Sequence, residues 1–106
     1  MHDLKWSESE KKIARRVFEA ALQQELGEIM TRFKEKAAVA EKPDDMWAVE
    51  SWLAHRRRDI DNKYDFRYSQ LVIVFGKLLR ERRVTEEELA GLGEDKLSYI
   101  ERVATL

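Results

Sequence analysis

The sequence has no cysteine, one proline and four glycines among its 106 residues. Without cysteine the chain cannot form disulfides, thiol nucleophiles or cysteine-based zinc sites. The two histidines, His2 and His55, are too few and too far apart to suggest a metal cluster. No glycine-rich phosphate loop is present. No histidine cluster accompanies Glu50, Asp61 and Asp65, so general acid–base catalysis has no assembled pair. We therefore expect a protein that is not an enzyme and that holds no metal or other cofactor.

Long apolar segments and a strong net charge are also absent. The longest apolar run, LVIVF at residues 71–75, is far shorter than the ~20 residues needed to span a bilayer. The opening MHDLKWSESEKK has no apolar central region of the secretory type. The formal net charge of −1 gives no general attraction to nucleic acid or anionic lipid. These features predict a cytoplasmic protein without membrane insertion and without a nucleic-acid partner.

What the chain has in abundance is charged residues. They make up 39% of the sequence, against about 25% in ordinary soluble domains. This composition suits long helices with a heavily solvated outer face. The length fits one small domain over residues 1–106, and we predict that it is all-α.

A long first helix is predicted over residues 8–40, after a flexible lead-in over residues 1–7. Ser7 and Glu10 have the spacing of a capping box at its start. Gly27 lies inside this helix, where glycine costs roughly 1 kcal/mol relative to alanine, and we expect the helix to continue through it. Apolar residues recur at amphipathic intervals of three and four: Ile13, Val17, Ala20, Ala21, Phe33, Ala37 and Ala40.

A second long helix is predicted over residues 44–82. Pro43 suits the first turn of a new helix, and the two aspartates after it favour the positive end of the helix dipole. The LVIVF segment, taken alone, is compatible with a buried strand. However, no turn signal separates it from the residues before it, and no second strand is available to pair with it. Helix is therefore the prediction there as well.

Two short C-terminal helices are predicted over residues 86–90 and 94–104. Thr85 and Glu88 repeat the capping-box spacing before the first of them, and Gly91 closes it. The predicted architecture is two long antiparallel helices followed by these two short ones.

Helices this long predict self-association. A helix of about 36 residues is ~54 Å long, whereas a compact chain of this size has a radius of gyration of about 13 Å. Two such helices, folded back at Pro43, form a hairpin too thin to cover its own apolar stripe. We expect an intertwined helical homodimer. The alternative is a monomeric bundle whose long helices break at Gly27 and within residues 56–59.

The second helix divides into two faces on a projection of about 100° per residue. The predicted core and dimer residues are Leu53, Ile60, Tyr64, Leu71, Phe75 and Leu78. The predicted partner-binding residues are Trp47, Glu50, Ser51, Ala54, Arg57, Arg58 and Asp61.

Trp47 and Arg57 each have two interpretations. Trp47 either covers the hairpin turn by packing on the first helix, or anchors in a partner's pocket, since tryptophan and arginine are enriched among binding hot spots. Arg57 lies between the two faces and either pairs across the dimer or meets an acidic partner. A distant alternative is a dimeric nucleic-acid-binding regulator that uses Arg56, Arg57 and Arg58. It predicts retention on heparin and a steep salt dependence.

The order of residues also resembles a known family. The matching motifs are W-S-x-x-E from Trp6, D-D-M-W from Asp44, L-A-x-R-R-x-x-I-D-x-K-Y-D-x-R-Y-S from Leu53, and E-E-L-A-G-L-x-E-D-K-L-x-x-I from Glu87. Together they resemble the cyanobacterial fluorescence recovery protein family, over nearly the whole chain. The segment from Ile60 to Ser69 is its densest part.

This resemblance implies an all-helical, dimeric regulator without enzyme activity. Members of that family bind the light-activated red form of the orange carotenoid protein, mainly through its C-terminal domain. They speed its return to the resting orange form and its release from the phycobilisome, which ends photoprotective quenching. The resemblance therefore implies a carotenoid-protein partner for this chain.

The resemblance also assigns candidate site residues. Trp47 and Arg57 match a tryptophan and an arginine of the family's functional patch. Glu50 and Ser51 stand where the family has histidine and aspartate, and Ile73 stands where it has a phenylalanine. Because these positions differ, the alternative function is a similar dimeric scaffold that binds a different protein in a bacterium without phycobilisomes.

Overall fold

The computed structural model describes residues 4–106, and this part of the chain is all-helical, as predicted. Residues 1–3 of the predicted flexible lead-in lie outside the described range, and residues 4–7 precede the first helix without regular structure. An isolated bridge joins Ala90 and Leu92. The helices are α1 (Glu8–Val39), α2 (Pro43–Lys63), α3 (Leu71–Arg80) and α4 (Glu94–Ala104).

The chain divides into two compact units. The hairpin unit is Leu22–Lys63, and the terminal unit comprises the chain up to Ala21 together with Tyr64–Leu106.

The capping box at the start of α1 is confirmed: Ser7 N–H donates to Glu10 Oε1 at 2.9 Å, and Glu10 N–H donates to Ser7 Oγ at 3.2 Å. Helix α1 continues through Gly27, and α2 continues through residues 56–59. Neither break of the monomeric alternative forms.

The predicted continuous helix over residues 44–82 is wrong. Helix α2 ends at Lys63 and α3 begins at Leu71. Between them, residues 64–67 have no regular structure and residues 68–70 form a turn. The LVIVF segment lies in α3, so the choice of helix over strand is confirmed.

The interruption has a tertiary cause. The rings of Tyr64 and Phe66 pack edge-on against Phe18 of α1, with centroids 5.4 and 4.9 Å apart. The Tyr64 hydroxyl donates to the carbonyl oxygen of Ala21 at 3.3 Å. Helix propensity is a weak preference that such packing overrides. The helix therefore ends before Tyr64, and the half-buried rings of Tyr64 and Phe66 pack on α1 instead.

The predicted short helix over residues 86–90 is also wrong, because residues 86–89 form turns. Its capping box is present: Thr85 N–H donates to Glu88 Oε1 at 2.9 Å, and Glu88 N–H donates to Thr85 Oγ1 at 3.1 Å. Gly91, with φ of 104°, follows at once. So short a segment closes too few hydrogen bonds to offset the fixing of its first turn.

The core of the chain lies in the terminal unit, between α1, α3, α4 and the turns before α4. Helices α3 and α4 approach closely at Gly76, where a Cβ atom would collide with the Cβ of Val103 and lie 3.0 Å from the carbonyl oxygen of Ile100. The largest fully buried side chains are Phe75, Leu71, Leu78, Leu89, Ile100 and Val72.

A buried ion pair joins the starts of α1 and α4. Glu10 and Lys96 are 8% and 2% exposed, and Lys96 Nζ lies 3.1 Å from Glu10 Oε2. The same oxygen accepts the Gly93 N–H at 2.7 Å. Lys96 Nζ also lies 5.2 Å from the ring centroid of Trp6. Burial raises the pKa of Glu10, but the backbone bonds from Ser7 and Gly93 and the Lys96 contact lower it to about 2.

The hairpin unit has almost no core of its own. Its part of α1 runs antiparallel to α2, as predicted, because Glu25 Oε1 pairs with Lys63 Nζ at 2.8 Å while Lys36 Nζ lies 5.2 Å from the ring centroid of Trp52. Ile60 is the one buried residue of this unit. Large apolar side chains are instead exposed: Leu26, Met30, Val39, Met46, Trp47 and Leu53. None of the helices described is both long and apolar enough to cross a membrane.

Candidate functional site

The start of α2 is fixed by its own first turn. Pro43 is the first helical residue, one position before the predicted start at residue 44, and proline suits this first turn. Asp45 Oδ2 accepts the backbone N–H groups of Glu41 and Lys42, both at 3.0 Å. These two hydrogen bonds lower the pKa of the Asp45 carboxyl. These bonds therefore fix the backbone just before the helical turn that carries Trp47.

The structure brings the seven predicted partner-binding residues together on α2. Trp47 is 55% exposed, and spacings of three and four place most of the others on the same side of the helix. All seven are exposed: Trp47, Glu50, Ser51, Ala54, Arg57, Arg58 and Asp61. We call this set the Trp47 surface.

A different tryptophan packs toward α1. Trp52 is half-buried, and Lys36 of α1 lies over its ring. Trp47 leaves more than half of its surface exposed. This exposure is what a partner anchor needs, whereas a tryptophan that covers the hairpin turn would bury most of its ring.

The arginines of α2 have local partners. Arg56 Nη2 lies 2.9 Å from Asp59 Oδ2, and Arg58 Nη2 lies 3.0 Å from the Nδ1 of His55. Arg57 Nε is 3.9 Å from Asp61 Oδ2, and its side chain is 86% exposed. Exposed pairs of this kind contribute about 0–1 kcal/mol, so Arg57 is free to exchange its partner.

The predicted core and dimer residues fall in two places. Ile60, Leu71, Phe75 and Leu78 are buried, Tyr64 is half-buried, and Leu53 is 37% exposed. Leu71, Phe75 and Leu78 belong to the core of the terminal unit. Leu53 instead remains on the open side of the hairpin unit. The predicted single helix would have placed these residues on one stripe, but α2 ends at Lys63. Ile73, in α3, is half-buried.

The hairpin unit carries an apolar groove of about 650 Å³ that was not predicted from the sequence. The groove is continuous with the Trp47 surface, because Glu50 belongs to both. The sequence signal for this groove is the recurrence of apolar residues at intervals of three and four on both helices. These residues are Phe33, Ala37 and Ala40 on α1, with Ala40 just after its end, and Met46, Val49 and Leu53 on α2. The lining residues are Phe33, Ala37, Ala40, Glu41, Lys42, Pro43, Met46, Val49, Glu50 and Leu53.

The Trp47 surface and the adjoining groove combine a large exposed aromatic ring, apolar side chains and a few exposed charges. These features are common at protein interfaces. Residues 4–106 contain no group of three or more His, Asp or Glu side chains placed to hold a metal ion.

Comparisons with known proteins agree on one family. The model of the family described as "Photoprotection regulator fluorescence recovery protein" matches residues 6–104. The fluorescence recovery protein of Synechocystis sp. (strain PCC 6803) is 38% identical over 101 residues, which cover 95% of this chain and 93% of that protein. The solved structure of the Fremyella diplosiphon fluorescence recovery protein is similar with a TM-score of 0.90 and 31% identity. The Synechocystis structure is similar with a TM-score of 0.90 and 37% identity. In both cases the match covers 96% of this chain and 100% of the other.

Proposed function

This chain belongs to the fluorescence recovery protein family, a family of photoprotection regulators and not of enzymes, and from that premise we propose that it accelerates the red-to-orange reversion of an orange carotenoid protein. The observation that carries the proposal is the family match over residues 6–104. We further propose that the chain acts in the cytoplasm and binds the C-terminal domain of its partner.

The proposed mechanism is differential binding by the Trp47 surface. A regulator shifts a two-state partner only by its difference in affinity for the two states. It accelerates reversion only by binding the transition state more tightly than the red state, with about 1.4 kcal/mol for each factor of ten in rate. Trp47 supplies an exposed ring of the type found at hot spots, and Arg57 supplies an exposed guanidinium whose present contact with Asp61 is 3.9 Å long.

We also propose a homodimer assembled through the groove of the hairpin unit. The support is the exposure of Met30, Met46 and Leu53 in a unit that buries only Ile60. Two helices without a shared core are marginal alone, since helical stability in proteins comes mostly from the packing of apolar faces. A second copy of the same unit would cover these side chains.

The decisive experiment is a dark decay assay. The chain is mixed with photoactivated orange carotenoid protein, and the red-to-orange decay is timed by absorbance. We expect excess chain to shorten the decay and Trp47→Ala to abolish most of the effect without changing helix content by circular dichroism. Glu35→Ala, an exposed position on α1 of the same unit, is the matched control and should act as the unchanged chain does.

Two results would contradict the proposal. If the unchanged chain at excess leaves the decay time unaltered and forms no complex on gel filtration, the carotenoid-protein partner is wrong. Glu50 and Ser51 then favour the second candidate, a similar scaffold for another protein partner. If Trp47→Ala instead dissociates the dimer, Trp47 belongs to the interface between copies.

A further inference from the structure

The terminal unit carries a second groove, which the proposed function does not use. It consists of two adjoining depressions of about 630 and 270 Å³, which share Leu79, Glu86, Ser98 and Glu101. Its floor is apolar: Leu79 and Leu97 are half-buried, and the fully buried Leu89 and Ile100 also line the smaller depression. We call this the acidic groove, defined by Leu79, Leu97, Glu86, Glu94 and Glu101.

The rim of the smaller depression is negative. Glu86, Glu94 and Glu101 are exposed, and within residues 4–106 none of the three has an ion-pair partner. No lysine or arginine lines the smaller depression.

The arginines of the larger depression have other contacts. Arg80 Nη1 donates to the backbone oxygen of Leu106 at 3.2 Å, and the Arg102 guanidinium lies 5.8 Å from the ring centroid of Tyr99. Most other acidic side chains of the terminal unit do have partners, such as Glu10 with Lys96 and Asp65 with Arg67. Arg80 and Arg102 nevertheless keep their positive charge in the larger depression. The excess negative charge therefore lies at the smaller depression, where Glu86, Glu94 and Glu101 have no cation beside them.

The spacing on α4 gives this rim a definite geometry. Glu94, Leu97 and Glu101 lie at positions i, i+3 and i+7, so they share one face of the helix. About 10 Å of helix axis separates the two glutamates, with the apolar side chain between them. Glu86, from the turn before α4, lies on the same groove.

From this arrangement we infer that the acidic groove binds a basic amphipathic helix of another protein. An apolar side chain of that helix covers Leu79 and Leu97, and its lysines or arginines meet the glutamate rim. Helices bind to grooves through apolar anchors at helical spacing, and opposite charge on the rim selects and orients them. Anionic lipid and nucleic acid are disfavoured, because the rim carries the same sign of charge as their phosphates.

A second copy of this chain fits the groove less well. Its basic run KKIARR, residues 11–16, contains Ala14, which is 0% exposed, and Ile13, which is half-buried in its own unit. The apolar side chains that would enter the groove are therefore already in use. The basic run on α2 pairs Arg56 with Asp59. A separate protein with a free basic and apolar helix face is the better match.

The test uses the intact chain and a fluorescein-labelled helical peptide of about 14 residues, four turns of helix, built from leucine and lysine at amphipathic spacing. Binding is followed by fluorescence anisotropy. We expect Glu94→Gln with Glu101→Gln to weaken binding about tenfold, and 0.5 M salt to weaken it similarly. The matched control, Glu35→Gln with Glu87→Gln, removes two exposed glutamates outside the groove and should change affinity less than twofold.

A second peptide tests the floor. Replacing its leucines with serine keeps the charge, and we expect binding to fall at least tenfold. Leu97→Ala should weaken binding of the leucine peptide with little change in the thermal unfolding of the chain.

The inference is overturned if the serine peptide binds equally well, if the control pair weakens binding as much as the groove pair, or if the peptide does not bind at millimolar concentration. It is also overturned in favour of self-contact if the groove pair alone lowers the sedimentation coefficient of the chain.

Discussion

At the residue scale, the Glu10–Lys96 pair holds several elements of the terminal unit together. Glu10 accepts the N–H of Ser7 before α1 and that of Gly93 before α4, and its contact with Lys96 lies beside Trp6. Removing one partner of a buried pair typically costs 3–5 kcal/mol. Asp95 Oδ2, which lies 3.4 Å from Lys96 Nζ, offsets part of the loss here and places the cost at the low end. This single carboxylate thus joins the start of α1 to the start of α4.

Glu10→Gln should lower the free energy of unfolding by about 3 kcal/mol at pH 7. The pKa of Glu10 is lowered from 4.5 to about 2, so its stabilisation is fully present above pH 4.5 and is lost as the pH falls toward 2. The difference between the variant and the unchanged chain should therefore shrink across that range. Urea unfolding at a series of pH values measures it. Glu8→Gln, whose side chain is 87% exposed, is the control and should change little at any pH.

At Glu50 and Ser51 of the Trp47 surface, this chain differs from the residues that the family resemblance implies. The resemblance implies histidine and aspartate there, and Glu50→His with Ser51→Asp should strengthen binding of the proposed partner about tenfold, because a charge-assisted hydrogen bond contributes ~1.5–3 kcal/mol. The dark decay assay, with a titration of the chain, gives the half-saturating concentration. Glu35→His with Ala38→Asp introduces the same two residue types at exposed positions of α1 and should leave the half-saturating concentration unaltered. A fall in activity for Glu50→His with Ser51→Asp would mean that this chain has adapted to a different partner.

At the element scale, local signals predicted where α1 and α2 begin but not every place where helices end. The capping box of Ser7 and the turn at Pro43 act within one helical turn, and both appear at the expected positions. The interruption over residues 64–70 depends on Phe18, more than 40 residues away in sequence. No local pattern contains that contact. At residues 86–89 the local signal is present but misleading: the capping hydrogen bond forms, and no helix follows it.

One substitution should have opposite effects in two helices. Gly76→Ala places a Cβ against Val103 in the contact between α3 and α4, and overpacking of a core typically costs 1–3 kcal/mol. Gly27→Ala meets nothing within 4 Å and should stabilise α1 by about 1 kcal/mol, because glycine is the poorer helix former. Thermal unfolding of both variants measures whether Gly76→Ala lowers the stability and Gly27→Ala raises it. Equal effects would show that α3 and α4 separate enough in solution to admit a methyl group.

At the scale of the whole molecule, the two units differ in how much they bury. The terminal unit contains nearly every buried apolar residue, whereas the hairpin unit buries Ile60. Exposure of the Trp47 surface was accessible to sequence reasoning, because polar residues surround Trp47 at helical spacing. The groove was harder to predict, since it needs both helices in place. Leu71 and Phe75, which the sequence pattern grouped with a dimer stripe, are 0% exposed within their own chain.

Met46→Glu should convert the proposed dimer into monomers. Met46 lines the groove and is 53% exposed, and a carboxylate buried there in an interface would lack a partner. Sedimentation velocity over a range of concentrations measures the change. Leu106→Glu, at an 85% exposed position of the terminal unit, introduces the same charge and should leave the association unchanged. A monomer for the unchanged chain at high concentration would refute the dimer itself.

The three tryptophans occupy three different environments. Trp6 is 9% exposed beside a lysine, Trp52 is half-buried, and Trp47 is 55% exposed. A small aqueous quencher such as iodide should therefore reach the indole at position 47 first and the one at position 6 last. Occupation of the α2 face by a ligand would then be visible in the native emission of the chain, without any attached dye.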